Sequence, residues 1–217
     1  MLAVLLPALT IAYLSLAPSL PASGSEGLRL DAAVGAALVM GAVLAVAPLA
    51  EAWPAAVLLA LGCGLLTGAF DQVGARAGAT LPEALLWCAG GLLFARAFGG
   101  GALAVAVPLL LAGLDIAGVT GSTAILDDVA QAGDPLTLEL PAWGGGQAAV
   151  LPALEAGVMG ALAAWASMQG FRTPWTQVIM VESVVLATVL SLPAIAVVVA
   201  AYLIVNVDRA GESVGQT

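Results

Sequence analysis

The sequence predicts an all-α, polytopic integral membrane protein with about seven or eight transmembrane helices, from composition and from recurring apolar runs. The 217 residues are 62% hydrophobic and 9% charged, with a mean hydropathy of +1.09. A soluble domain of this size is about half apolar. Apolar stretches near the length that spans a bilayer, roughly 17–25 residues, recur from end to end. No segment is polar and long enough to form a separate soluble domain.

The expected spans follow in order. Leu2–Leu20 is the first, read as a retained helix because no Lys or Arg precedes the run and "PSLPASG" is a weak cleavage site. "ASGSEGLR" breaks it, and Asp31–Leu49 is the second. After "AEAWP" comes Ala55–Phe70, then "DQVGARAGATLPE" as a polar loop. Ala84–Phe98 is closed by Gly99, Gly100 and Gly101, and Ala102–Val119 carries Pro108. Residues 1–101 thus form an N-terminal unit of about four spans, and residues 102–217 a C-terminal half.

The C-terminal half has its own grammar. Thr120–Gly146 is polar and acidic, with Asp127, Asp128, Asp134 and Glu139 and no basic residue. "STAILDDVAQ" is read as a short interfacial helix. "PLTLELP" alternates Leu136, Leu138 and Leu140 with Thr137 and Glu139, the period of a strand with one apolar face. Gln147–Met168 is the sixth helix. Thr176–Val207 would be about 48 Å long as one helix, against a hydrocarbon core of ~30 Å. With Pro193 near its centre, it is either one kinked helix or two meeting at "SLPAI".

Charge excludes several functions. The net charge is −9, the five basic residues are all arginine, and there is no His. A nucleic-acid stripe and imidazole chemistry are therefore absent. Cys63 and Cys88 stand alone and read as buried small side chains. The arginines divide almost evenly between the two sides of any threading, so they set no orientation.

Ionisable groups at membrane depth are functional candidates. Glu26, Asp31, Glu51, Asp71, Glu83, Asp208 and Glu212 fall at expected helix ends or loops and read as solvated ends or caps. Glu182 lies near enough to a helix end to reach the interface. Asp115, in "PLLLAGLDIAGV", and Glu155, near the middle of the expected sixth helix, remain. Small residues line both helices: Ala156, Gly160 and Ala164 at spacing four, Ala153, Gly157 and Ala161 likewise, and Gly113, Ala117 and Gly118 around Asp115. The two helices are expected to be neighbours. Two carboxyls in contact share a proton, so one can activate water while the other protonates or polarises a carbonyl. Paired acids also carry protons or cations in transporters, and buried acids can be purely structural. Those two alternatives stand beside the catalytic one.

From Leu114 onward the chain resembles the catalytic half of the presenilin and signal peptide peptidase family of intramembrane aspartyl proteases, most closely its short prokaryotic members. "GLDIAGVTGS" is similar to the family's first catalytic segment, with Asp115 at the Asp position and Leu114 in place of Tyr. "PALEAGVMGALAAWA" stands where the family has Gly-x-Gly-Asp, placing Glu155 at the second catalytic position. Pro193, Ala194 and Ile195 look like the Pro-Ala-Leu motif. The resemblance implies a multi-pass protein of a prokaryotic cytoplasmic membrane that hydrolyses peptide bonds in transmembrane-helix substrates. Asp115 and Glu155 would be catalytic, without metal or organic cofactor. Membrane lipids and the substrate helix would be its partners. Pro193, Ala194, Ile195 and the strand residues Leu138 and Leu140 would bind substrate. The sequence departs from the pattern: Glu replaces Asp, the glycines of Gly-x-Gly-Asp are missing, and the spans fall short of the family's nine. Either the pocket is adjusted to Glu or the chain is a non-proteolytic relative.

Overall fold

The computed structural model describes residues 2–22, 24–50, 52–121, 137–145 and 149–209, and these are mostly helical. The helices are α1 (Leu2–Leu16), α2 (Gly24–Val46), α3 (Trp53–Gln72), α4 (Arg76–Ala97), α5 (Leu103–Gly121), α6 (Ala153–Met168), α7 (Thr173–Leu190) and α8 (Ala194–Val205). Between α5 and α6 lie two short strands, β1 (Thr137–Leu140) and β2 (Ala149–Pro152). Five stretches are long and apolar enough to cross a membrane: Leu2–Ser19, Gly27–Leu49, Trp53–Gln72, Gly78–Ala97 and Thr173–Leu190.

Several boundaries differ from the sequence expectation, for one reason. Polar residues end an apolar run without ending a helix, because backbone hydrogen bonds are indifferent to side-chain polarity. So α2 starts at Gly24 rather than Asp31. The expected loop "DQVGARAGATLPE" shrinks to Val73–Ala75, with Pro82 inside α4. Asp31 and Glu83 are consequently not solvated ends. Both are buried within helices. Asp31 Oδ2 accepts from the Trp143 amide at 3.3 Å. Tyr13 Oη donates to the Asp31 carbonyl at 3.1 Å and accepts from Trp143 Nε1 at 3.1 Å. The helix expected in "STAILDDVAQ" lies outside the described residues.

The turns share one closure. After α3, Ala75 N–H donates to Phe70 O and Gly74 N–H to Asp71 O, with Gly74 at φ 69°. After α6, Phe171 N–H donates to Ala166 O and Gly170 N–H to Ser167 O, with Gly170 at φ 64°. This is the Schellman arrangement, in which a left-handed residue satisfies the last carbonyls. After α7, Leu192 N–H reaches Ala187 O, but the left-handed residue is Ser191, at φ 54°. The stretch Thr176–Val207 is therefore two helices, with Pro193 two residues beyond that turn. Ser191 is exposed and lacks glycine's freedom there. Ser191→Gly is expected to raise stability by about 1 kcal/mol, read as a shift in the unfolding midpoint in detergent.

The expected sixth helix is the largest correction. Residues 149–152 are a strand, paired antiparallel with the strand read from the Leu138/Leu140 alternation: Leu138 opposite Leu151, Leu140 opposite Ala149. Pro152 then disfavours helix for the residue before it, so α6 begins at Ala153. Glu155 thus sits in its first turn, not its middle. From Ala153 to Ala166 every residue of α6 but Leu154 is buried, which makes α6 the central helix. Its small-residue face meets α4 rather than α5. A Cβ at Gly91 would come within 1.9 Å of Gly157 O, and one at Gly160 within 2.4 Å of Cys88 O. Helix α5 packs instead mainly on α8. Cys63 and Cys88 are both free and buried.

Candidate functional site

Helix α8 begins without a side chain of its own to cap it. Its N-cap is Pro193, at φ −62° and ψ 109°, and the first helical bond runs from Val197 N–H to Pro193 O at 3.1 Å. The amides of Ala194, Ile195 and Ala196 therefore have no partner within the helix. Asp115, from the half-buried side of α5, supplies the missing cap from another helix: its Oδ2 accepts from Ala196 N–H at 3.0 Å. The carboxylate also faces the positive end of the α8 dipole.

Glu155 reaches the same place from α6. As the third residue of a helix it stands where a Glu can bond back to the N-cap amide. Here the N-cap is Pro152, which has no N–H. The carboxyl is left to point elsewhere. It is 8% exposed, and Oε2 has no hydrogen-bond partner. It lines a narrow gap with Val158 and Met159 of α6, Val184 of α7, and Ala194, Ile195 and Val198 of α8. Asp115 is bonded to Ala196, in the same first turn of α8 whose Ala194 and Ile195 line this gap. Two helix amino ends, of α6 and α8, thus converge with two acids, which offsets part of the burden of burying them.

Of the residues singled out in the sequence, Asp115, Glu155, Ala194 and Ile195 come together, with half-buried Pro193 opening α8. Leu138 and Leu140 do not join them. Both are fully buried in the core, and Leu140 packs on α2, where a Cβ at Gly35 would meet its Cδ1 at 3.2 Å. One edge of β1 is taken by β2, and the Glu139 carbonyl accepts from Thr80 Oγ1 at 2.6 Å. The side chains of Leu138 and Leu140 therefore hold the hairpin to the core rather than face a substrate. Glu182 is exposed on α7. The sequence reading missed that Asp115 bonds a backbone amide. Its one trace is Pro193, a helix start with no side chain able to cap. No protein-family model matches the chain, nor does any curated protein or solved structure.

The cap has a measurable consequence. Asp115→Ala is expected to lower stability by about 1 kcal/mol. Asp115→Asn keeps an acceptor oxygen and is expected to retain most of it, as thermal unfolding in detergent would show.

Proposed function

We propose that the chain is a multi-pass membrane protein and a presenilin-like intramembrane hydrolase of peptide bonds, acting through Asp115 and Glu155. The membrane reading is supported by the five long apolar helices and by their outward faces. On α3, Leu58, Leu61 and Leu65 are 69%, 61% and 77% exposed, a surface that suits lipid and not water. The shorter helices α5, α6 and α8 would complete the bundle.

One observation carries the catalytic reading. Asp115, Glu155 and the Pro193–Ile195 segment are far apart in sequence and meet at one junction, where Glu155 is surrounded by apolar side chains of α6, α7 and α8. A buried acid without a hydrogen-bond partner is unfavourable and calls for a role. In this reading Asp115 acts as the base and Glu155 as the acid. Asp115 would remove a proton from water as the water oxygen bonds to the scissile carbonyl carbon. Glu155 would hydrogen-bond the carbonyl oxygen. Breakage of the C–N bond would then return a proton to the leaving amine. A second reading, a non-proteolytic relative, is favoured by the engagement of Asp115 as a cap.

The test is cleavage of a single-span transmembrane substrate by purified protein in lipid vesicles. Wild type is expected to cleave, while Asp115→Asn and Glu155→Gln fall by at least ~100-fold, as loss of an acid–base group does. Equal cleavage by wild type and Asp115→Asn would exclude the protease reading. Cleavage by Glu155→Asp alone would identify a family fold drifted from its catalyst.

A further inference from the structure

Helix α7 is an apolar span of 18 residues, Thr173–Leu190, and Glu182 stands at its centre. The sequence places Glu182 near a helix end, within reach of the interface. The structure does not, because α7 starts at Thr173 rather than Thr176 and stops at Leu190, before the left-handed Ser191. With a rise of 1.5 Å per residue, Glu182 is about 12–14 Å from either end. Lys and Arg have stems long enough to carry their charge toward the headgroups. A Glu at this depth does not. Its side chain also faces outward. Trp175, Val178, Leu186 and Val189 are exposed, and with exposed Glu182 they recur every three or four residues, on one face of the helix. Among the described residues Glu182 has no hydrogen-bond or ion-pair partner.

An acid in mid-membrane ordinarily faces the bundle interior or pairs with another group. Glu182 does neither, so its pairing group comes from outside the chain. A second copy cannot bring a cation to that depth. The chain has no Lys or His, and its five arginines lie at or near helix ends. The two beside α7 are engaged at its ends: Arg29 Nη1 donates to Val189 O at 3.5 Å, and Arg172 pairs with Asp208 at 2.7 Å. We infer that the α7 face centred on Glu182 docks a transmembrane helix of another protein, one that carries a Lys or Arg at the same depth. At low dielectric the charge-assisted bond between the two is strong, and it neutralises both charges. Trp175, Val178, Leu186 and Val189 then pack along the partner helix. The inference rests on the membrane reading and is independent of the catalytic one.

The probe is a single-span helix of leucine and alanine with one lysine at its centre, beside a matching helix with leucine there. Energy transfer measures the association of each with the labelled protein in phosphatidylcholine vesicles, for wild type, Glu182→Gln and Glu182→Leu. Glu182 is exposed and bonds no described residue, so both variants should fold, which unfolding in detergent checks. Wild type is expected to bind the lysine helix roughly tenfold more tightly than the leucine helix. Glu182→Leu is expected to bind the two alike, and Glu182→Gln to keep only part of the preference. Equal binding of both helices by wild type would overturn the inference. Energy transfer between copies of the wild-type protein that Glu182→Leu abolishes would also overturn it, since the face would then belong to a second copy. A wild-type chain that stays soluble without detergent or lipid would overturn the membrane reading and this inference together.

Discussion

Gly91→Ala is expected to destabilise the protein by about 3 kcal/mol or more, although it adds only one methyl group. Gly91 lies on the face of α4 that touches α6, where the added Cβ would meet Gly157 O at 1.9 Å and Ala161 N at 2.9 Å. Both are backbone atoms of the central helix and cannot rotate away. Relief requires the two helices to separate, and the loss spreads along a contact that also includes Gly160 against Cys88 O. The adjacent residue gives the opposite sign. Gly90 is exposed, with open space where its Cβ would be. Gly90→Ala should stabilise the helix by up to about 1 kcal/mol. Unfolding of both variants in detergent checks the pair. If Gly91→Ala unfolds like wild type, the close approach of α4 and α6 is wrong.

That contact also shows what the sequence made legible. The rows Ala156–Gly160–Ala164 and Ala153–Gly157–Ala161 marked α6 as a helix others approach closely, and it is the most buried of the set. Its partner was not legible. Neighbours in sequence are often neighbours in space, but the long segment between α5 and α6 frees them from that constraint, and "WCAGGLLFA" in α4 offers glycines of its own. The strand at Thr137–Leu140 could be read from period-two alternation. Its partner Ala149–Pro152 could not, because "AVLP" continues an apolar run and its pairing is a tertiary fact. The same gap in information misplaced Glu155 in the middle of a helix. The acids themselves stood out, because carboxyls in apolar stretches are rare. What each one touches, a backbone amide for Asp115 and a lined gap for Glu155, has no signature in side-chain spacing.

Glu155→Met is expected to abolish cleavage and to stabilise the protein, by about 2 kcal/mol, since a buried polar group without a hydrogen bond is unfavourable by that order. Its Oε2 has no partner, and its neighbours in the gap are Val158, Met159, Val184, Ala194, Ile195 and Val198. Methionine is of similar length, unbranched and apolar, so it fills the space without a cavity. Glu155→Gln retains the shape but also a polar head, and should gain less. The opposite result is equally informative. Were Glu155 held by bonds that stabilise the fold, Met would leave its partners unsatisfied and the midpoint of unfolding would drop. An acid that lowers stability, sits at the meeting of two helix amino ends and is required for turnover can be explained only by what it does to a substrate. Measuring unfolding and cleavage on the same Glu155→Met preparation therefore separates a catalytic acid from a structural one. Loss of cleavage with a raised midpoint establishes the first, and a lowered midpoint the second.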